Sequence, residues 1–128
     1  MLAILFLRQI LAYVEFEMRK IRTVAGTGEP GYRGDGGPAL AAAWGAPKAM
    51  RCDKQDDLIV VGTESNAVRR IHVKTGTVTT IAGGHQGGDG GNARDAGLER
   101  PHGCGIDHQG NLYIAAGINH RVRVVGMR

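Results

Sequence analysis

A chain of 128 residues with 21 glycines and 5% aromatic residues lacks the composition of a helical bundle, and many short strands joined by glycine turns are expected instead. The net charge of +4 is modest and, outside Arg19, Lys20 and Arg22, scattered, so it admits an acidic or nucleic-acid partner without requiring one. Cys52 and Cys104 lie far apart with no CxxC motif and no disulfide-dense pattern, so free thiols are expected over a metal or redox pair.

The first seven residues are apolar, but Arg8, Glu15 and Glu17 interrupt the run well before the roughly 20 residues that a membrane span needs. No membrane span is therefore expected. Residues 1–20 read as an apolar segment that fits either a helix, with Leu7, Ile10, Leu11, Val14, Met18 and Ile21 on one stripe, or a strand from Ala12 onward.

From residue 21 onward the chain repeats itself. Thr80-Ile81-Ala82-Gly83 echoes Thr23-Val24-Ala25-Gly26, and Gly88-Asp89-Gly90-Gly91 echoes Gly34-Asp35-Gly36-Gly37. Pro101 then repeats Pro47, Asp107 repeats Asp53, Leu112 repeats Leu58 and Arg123 repeats Arg69, in one ungapped register. A repeat of that length is a single supersecondary unit used twice, and such units bury their apolar faces against copies of themselves.

Within the first copy, residues 21–26 read as a lone strand. A long loop with an alanine-rich helical turn, Pro38 to Trp44, follows. Residues 46–83 then carry four strands in a meander, the size of one propeller blade. The turn Asp53-Lys54-Gln55-Asp56 matches Asp107-His108-Gln109-Gly110, so Asp56 and Gly110 are expected in a left-handed conformation. Residues 100–126 supply three strands of a second blade. Lone strand, full blade and partial blade together make the strand complement of two blades, cut out of phase. Cys52 matches Ile106 and Cys104 matches Met50, which predicts buried free thiols.

The run Asp107-His108-Gln109-Gly110-Asn111-Leu112-Tyr113-Ile114-Ala115, followed by Asn119-His120-Arg121-Val122-Arg123, resembles the signature of the NHL repeat family. The Thr-Thr-Ile-Ala-Gly run at 79–83 and the two GDGG elements are similar to the inter-blade segments of long NHL repeats. The resemblance covers roughly residues 21–125 and implies an all-β fold, an incomplete β-propeller of about two four-stranded antiparallel blades with short helical turns in the inter-blade loops. It also implies a binding platform rather than an enzyme. In the first copy Ser65-Asn66-Ala67 stands where the second has Asn119-His120-Arg121, so the basic corner belongs to the second copy alone.

The function expected is therefore a non-catalytic interaction module, either a propeller fragment or an oligomerising two-blade unit, presenting loops to a protein partner. Single-stranded RNA on a basic face is the alternative within the binding class. A metal-dependent lyase of the peptidyl-hydroxyglycine amidating type is the alternative among enzymes, suggested by Pro101-His102-Gly103. That chemistry needs about three converging ligands, and the position equivalent to His102 is Lys48. No catalytic residue, cofactor or metal ligand is assigned.

Arg69, His102, His120, Arg121 and Arg123 are the candidate partner-binding residues, because guanidinium forks at a blade rim suit carboxylate or phosphate. The arginines can equally pair with acids or carbonyls between blades. His72, His85 and His108 fall in or near turns and read as solvated. Asp35, Gly36, Gly37, Asp89, Gly90 and Gly91 are expected to shape their loops, the aspartates by accepting neighbouring backbone N–H groups. The GDGG loops do not have the order of a phosphate-binding P-loop. Trp44 is expected to anchor its loop against a blade. A homotrimer of two-blade units is one way to close a six-bladed ring.

Overall fold

The computed structural model describes residues 19–127. The choice between helix and strand for residues 1–20 falls almost entirely outside that range. Among the described residues seven strands and two single 3-10 turns make up the regular structure: β1 (Pro47–Cys52), β2 (Leu58–Gly62), β3 (Ala67–His72), β4 (Thr77–Gly83), β5 (Pro101–Ile106), β6 (Leu112–Ala116) and β7 (Arg121–Val125). They form two antiparallel meanders, β1-β2-β3-β4 and β5-β6-β7. The architecture is all-β, two propeller blades of which the second has three strands among the described residues.

The sequence repeat is carried into the backbone position by position. A register irregularity after Pro47 in the first blade recurs after Pro101 in the second. Positive φ values at Ala46, Asp56 and Asn66 recur at Arg100, Gly110 and His120. In each blade the first aspartate of the β1–β2 or β5–β6 turn accepts two backbone N–H groups. Asp53 takes those of Gln55 and Asp57 at 2.9 and 3.0 Å, and Asp107 takes those of Gln109 and Asn111, both at 2.9 Å. The left-handed residue that closes the turn is Asp56 or Gly110, as the sequence predicts.

Alternation along the strands assigns each blade two faces, because successive side chains point to opposite sides of a sheet. One face of the first blade, with Ile59, Val61, Val68 and Ala82, packs against Leu112 and Ile114 of the second and against Leu98 of the inter-blade loop. This interface is the main core. A second cluster lies on the other face of the first blade, where Trp44, Ala39 and Ala42 of the long loop cover Val60, Ile71 and Val78.

Two expectations need correcting, on residues 21–26 and on the cysteines. Residues 21–26 are in no strand, since they pair with no strand among the described residues. The alanine-rich segment forms a helical turn as expected, a single 3-10 turn at Ala39–Ala41, with its counterpart at Ala93–Asp95. Ala42 and Ala96 are already extended, and each donates its N–H back to the start of its turn, which closes it after three residues. The cysteines are not buried: Cys52 is exposed and Cys104 half-buried, because β1 and β5 are the edge strands of their sheets.

Candidate functional site

The GDGG aspartates act at long range. The Asp35 carboxylate accepts from Arg69 Nε and Nη2 at 3.0 and 2.9 Å and from the Thr80 hydroxyl. Asp89 accepts from Arg123 Nε at 3.0 Å. Each arginine also donates Nη1 to a loop carbonyl at 2.8 Å, Arg69 to Ala43 and Arg123 to Gly97, which are equivalent positions in the two copies. The expectation that Asp35 and Asp89 shape their turns through neighbouring N–H groups is thus replaced by an arginine clasp that pins each inter-blade loop to the third strand of its blade. Local turn-shaping by a carboxylate belongs to Asp53 and Asp107 instead.

The first clasp is the more elaborate. Arg69 is fully buried, its Nη2 also reaches the Arg33 carbonyl at 2.9 Å, and its guanidinium lies 4.5 Å from the Trp44 ring centroid and 5.2 Å from that of Tyr32. The Tyr32 hydroxyl closes the network on Thr80 Oγ1 at 2.6 Å. A guanidinium between two aromatic faces with its donors directed at oxygens has its charge and its hydrogen-bonding groups satisfied at once. In the second copy Gln86 and Leu98 replace Tyr32 and Trp44, so Arg123 has no aromatic cage.

Gly36 and Gly90 take the left-handed conformation that their loops require; Gly37 and Gly91 do not. Gly36 N–H donates to the Val78 carbonyl at 2.7 Å and Val78 N–H to Gly37 at 3.1 Å, which lays the first GDGG loop along the outer strand. Gly34 has φ +98, and a Cβ there would come 2.8 Å from Ala42 Cα. That position admits no side chain.

Burial and pairing divide the candidate partner-binding residues. Arg69 faces the interior, and Arg123 is largely shielded and paired with Asp89. His102, His120 and Arg121 are exposed. Ala116 pairs with both Pro101 and Arg121, so these three side chains belong to one end of the second blade. His102 packs close to Gly117, where a Cβ would meet its ring carbon Cδ2 at 2.6 Å. Arg121 has no ion-pair or hydrogen-bond partner among the described residues, and exposed Lys48 holds the place in the first blade that His102 holds in the second.

At the same end the blades are stitched together. Thr63 Oγ1 donates to the Pro101 carbonyl at 2.6 Å, Asn66 Oδ1 accepts the Arg100 N–H at 2.9 Å, and Arg100 pairs with Glu64. His72 is half-buried rather than solvated, with Nε2 3.0 Å from Thr79 Oγ1 and Nδ1 3.7 Å from Asp57. Among the described residues no three His, Cys, Asp or Glu side chains come together as a metal site. No described helix is long and apolar enough to cross a membrane.

Two titratable groups at the opposite end are coupled. Asp107 is held below the ordinary carboxylate range, first by the Asn111 backbone N–H, with the Asn111 side chain and the Tyr113 hydroxyl adding to it. The same contact raises the Tyr113 phenol, since the carboxylate favours keeping its proton. Burial raises the Cys104 thiol, against a smaller opposing effect of Arg51.

Two antiparallel meanders packed face to face define a partial β-propeller. Solved structures agree on the fold. The chain is similar to a structural genomics protein of unknown function from Bacteroides thetaiotaomicron, with TM-score 0.71 and 18% identity over 82% of this chain and 27% of that one. It is also similar to an auxiliary nutrient binding protein from Bacteroides ovatus, with TM-score 0.62 and 24% identity over 77% of this chain and 26% of that one. The chain thus spans about a quarter of the length of either structure. No family model and no curated protein matches it.

Proposed function

We propose that the chain is a non-catalytic binding module built from NHL-type propeller repeats, and that it holds an acidic stretch of a protein partner at the rim formed by His102, His120 and Arg121. The observation that carries this reading is the contrast between arginines. Arg69 and Arg123 are committed to Asp35 and Asp89, whereas Arg121 is exposed and without a partner among the described residues, beside two exposed histidines. The NHL assignment is supported by the repeated Thr-Val/Ile-Ala-Gly and GDGG elements and by the Asn119-His120-Arg121 corner. Recognition of a nutrient-type ligand by the Bacteroides ovatus protein is in keeping with a binding role for this architecture.

A glutamate-rich peptide and a single-stranded oligonucleotide, titrated against the protein at two salt concentrations, test the proposal. Peptide binding that Arg121→Ala weakens is the expected result. No peptide binding, together with oligonucleotide binding that falls steeply with salt, would overturn it in favour of RNA recognition.

A further inference from the structure

Beyond rim recognition, we infer that the chain associates head to tail with a second copy of itself, reproducing between molecules the blade-to-blade junction it contains. In the internal junction, the face of the first blade with Ile59, Val61 and Val68 is the donor, and the face of the second with Leu112, Ile114 and Val125 is the acceptor. Both halves recur on the outside. The second blade's outer face carries Tyr113, Ala115 and Val122 at the donor positions, and Val122 and Tyr113 are exposed. The first blade's outer face carries Leu58, Val60 and Ile71 at the acceptor positions, with Met50 and Trp44 beside them. There they border an apolar cavity of about 490 Å³ that residues 23–30 flank. A sheet wetted on one face alternates apolar and polar residues, yet Leu-Tyr-Ile-Ala-Ala in β6 is apolar on both.

The strand edges fit as well. In the first blade β4 lies on β3 with Val68 opposite Ala82 and Ala67 opposite Gly83. Among the described residues β7 is paired on one side only, by β6. The segment that repeats Thr80 to Gly83 is Thr23 to Gly26, which lies in no strand and beside the acceptor cavity. Donation of that segment to β7 of the neighbouring copy sets Ala25 opposite Val122 and Gly26 opposite Arg121, an added strand that satisfies both open edges.

Two of the three polar stitches change in a matched way, while the Thr63 stitch is lost because Gly117 stands in its place. Glu64 and Arg100, the ion pair across the internal junction, correspond to Ile118 and Ala46 on the outer faces, so both charges are replaced together by apolar residues. Asn66, which accepts the Arg100 N–H, corresponds to His120, which would take that role toward the Ala46 N–H, so assembly and rim recognition draw on the same His120 and Arg121 and exclude one another. Such an interface is heterologous, and its copies form a closed ring or an open filament.

Sedimentation of the full chain and of two charge variants at exposed positions tests this. Val122→Glu blocks the donor face and Met50→Glu the acceptor face. The wild type is expected to assemble. Each variant alone is expected to dissociate, with a dissociation constant raised about a hundredfold by a carboxylate held in an apolar contact. An equal mixture of the two retains one intact junction and yields a dimer containing one of each, which also demonstrates that both variants are folded. A monomeric wild type overturns the inference. So does an assembly that survives Met50→Glu, because a face pairing with its own counterpart would not need the acceptor side.

Discussion

Removal of the Asp35 carboxylate isolates the effect of burial on one motif used twice. In Asp35→Ala, Arg69 loses two of its hydrogen bonds and its counter-charge while its side chain remains fully buried. Breaking a buried ion pair by deleting one partner costs about 3–5 kcal/mol. Asp35 is 34% exposed, so water partly screens the pair, and the carbonyls of Ala43 and Arg33 still receive two N–H groups. A loss of about 2–3 kcal/mol is therefore expected. In Asp89→Ala the acid removed is 73% exposed and Arg123 keeps access to water, so the loss is that of a surface pair, about 0–1 kcal/mol. Urea unfolding of both variants gives the comparison directly, provided the slope with denaturant is unchanged. Equal losses in the two, or less than about 1 kcal/mol for Asp35→Ala, would refute the view that enclosure rather than the pairing itself makes the first clasp strong.

Three further outcomes are expected. Thr63→Val removes the buried hydroxyl that reaches the Pro101 carbonyl between blades, and should lower unfolding free energy by about 1–2 kcal/mol, with Thr63→Ser restoring much of it. Alkylation followed by mass spectrometry should label exposed Cys52 well before Cys104, whose thiol is both less accessible and shifted upward, with the gap narrowing as pH rises. Asp107 is depressed in the folded state, so its stabilising contribution is complete above the unfolded-state carboxylate range. That contribution is lost as pH falls through the lower folded value, and the acid limb of the wild-type stability curve should be steeper than that of Asp107→Asn.

Much of the fold is legible in the sequence because the repeat is ungapped from the GDGG element onward. An unbroken register fixes strands and turns in one copy from the pattern of the other, as the shared left-handed positions Asp56 and Gly110 illustrate. Residues 21–26 have the composition of a strand, but a strand exists only with a partner edge, and composition does not reveal where that edge lies. The site was harder to read. An aspartate among glycines invites a local turn interpretation, while the actual partner of Asp35 lies on another strand. A signal was nevertheless present: both copies keep an Asp and an Arg at the same separation, 35 with 69 and 89 with 123, as a long-range pair would require. The cysteines misled because apolar equivalents suggested burial, whereas edge-strand position governs their exposure.

The way the first GDGG loop is fastened bears on how the molecule opens. With Gly36 and Val78 exchanging backbone hydrogen bonds and Arg69 sealed beneath, the loop cannot lift without dismantling the outer strand of its blade. Its amides should exchange with solvent only when the whole blade unfolds, whereas the loop around Asp89, with its clasp open to water, should exchange through a separate and cheaper local opening. Two loops of nearly the same sequence would then belong to different cooperative units, so slow time-resolved exposure would begin at the second blade and end at Arg69.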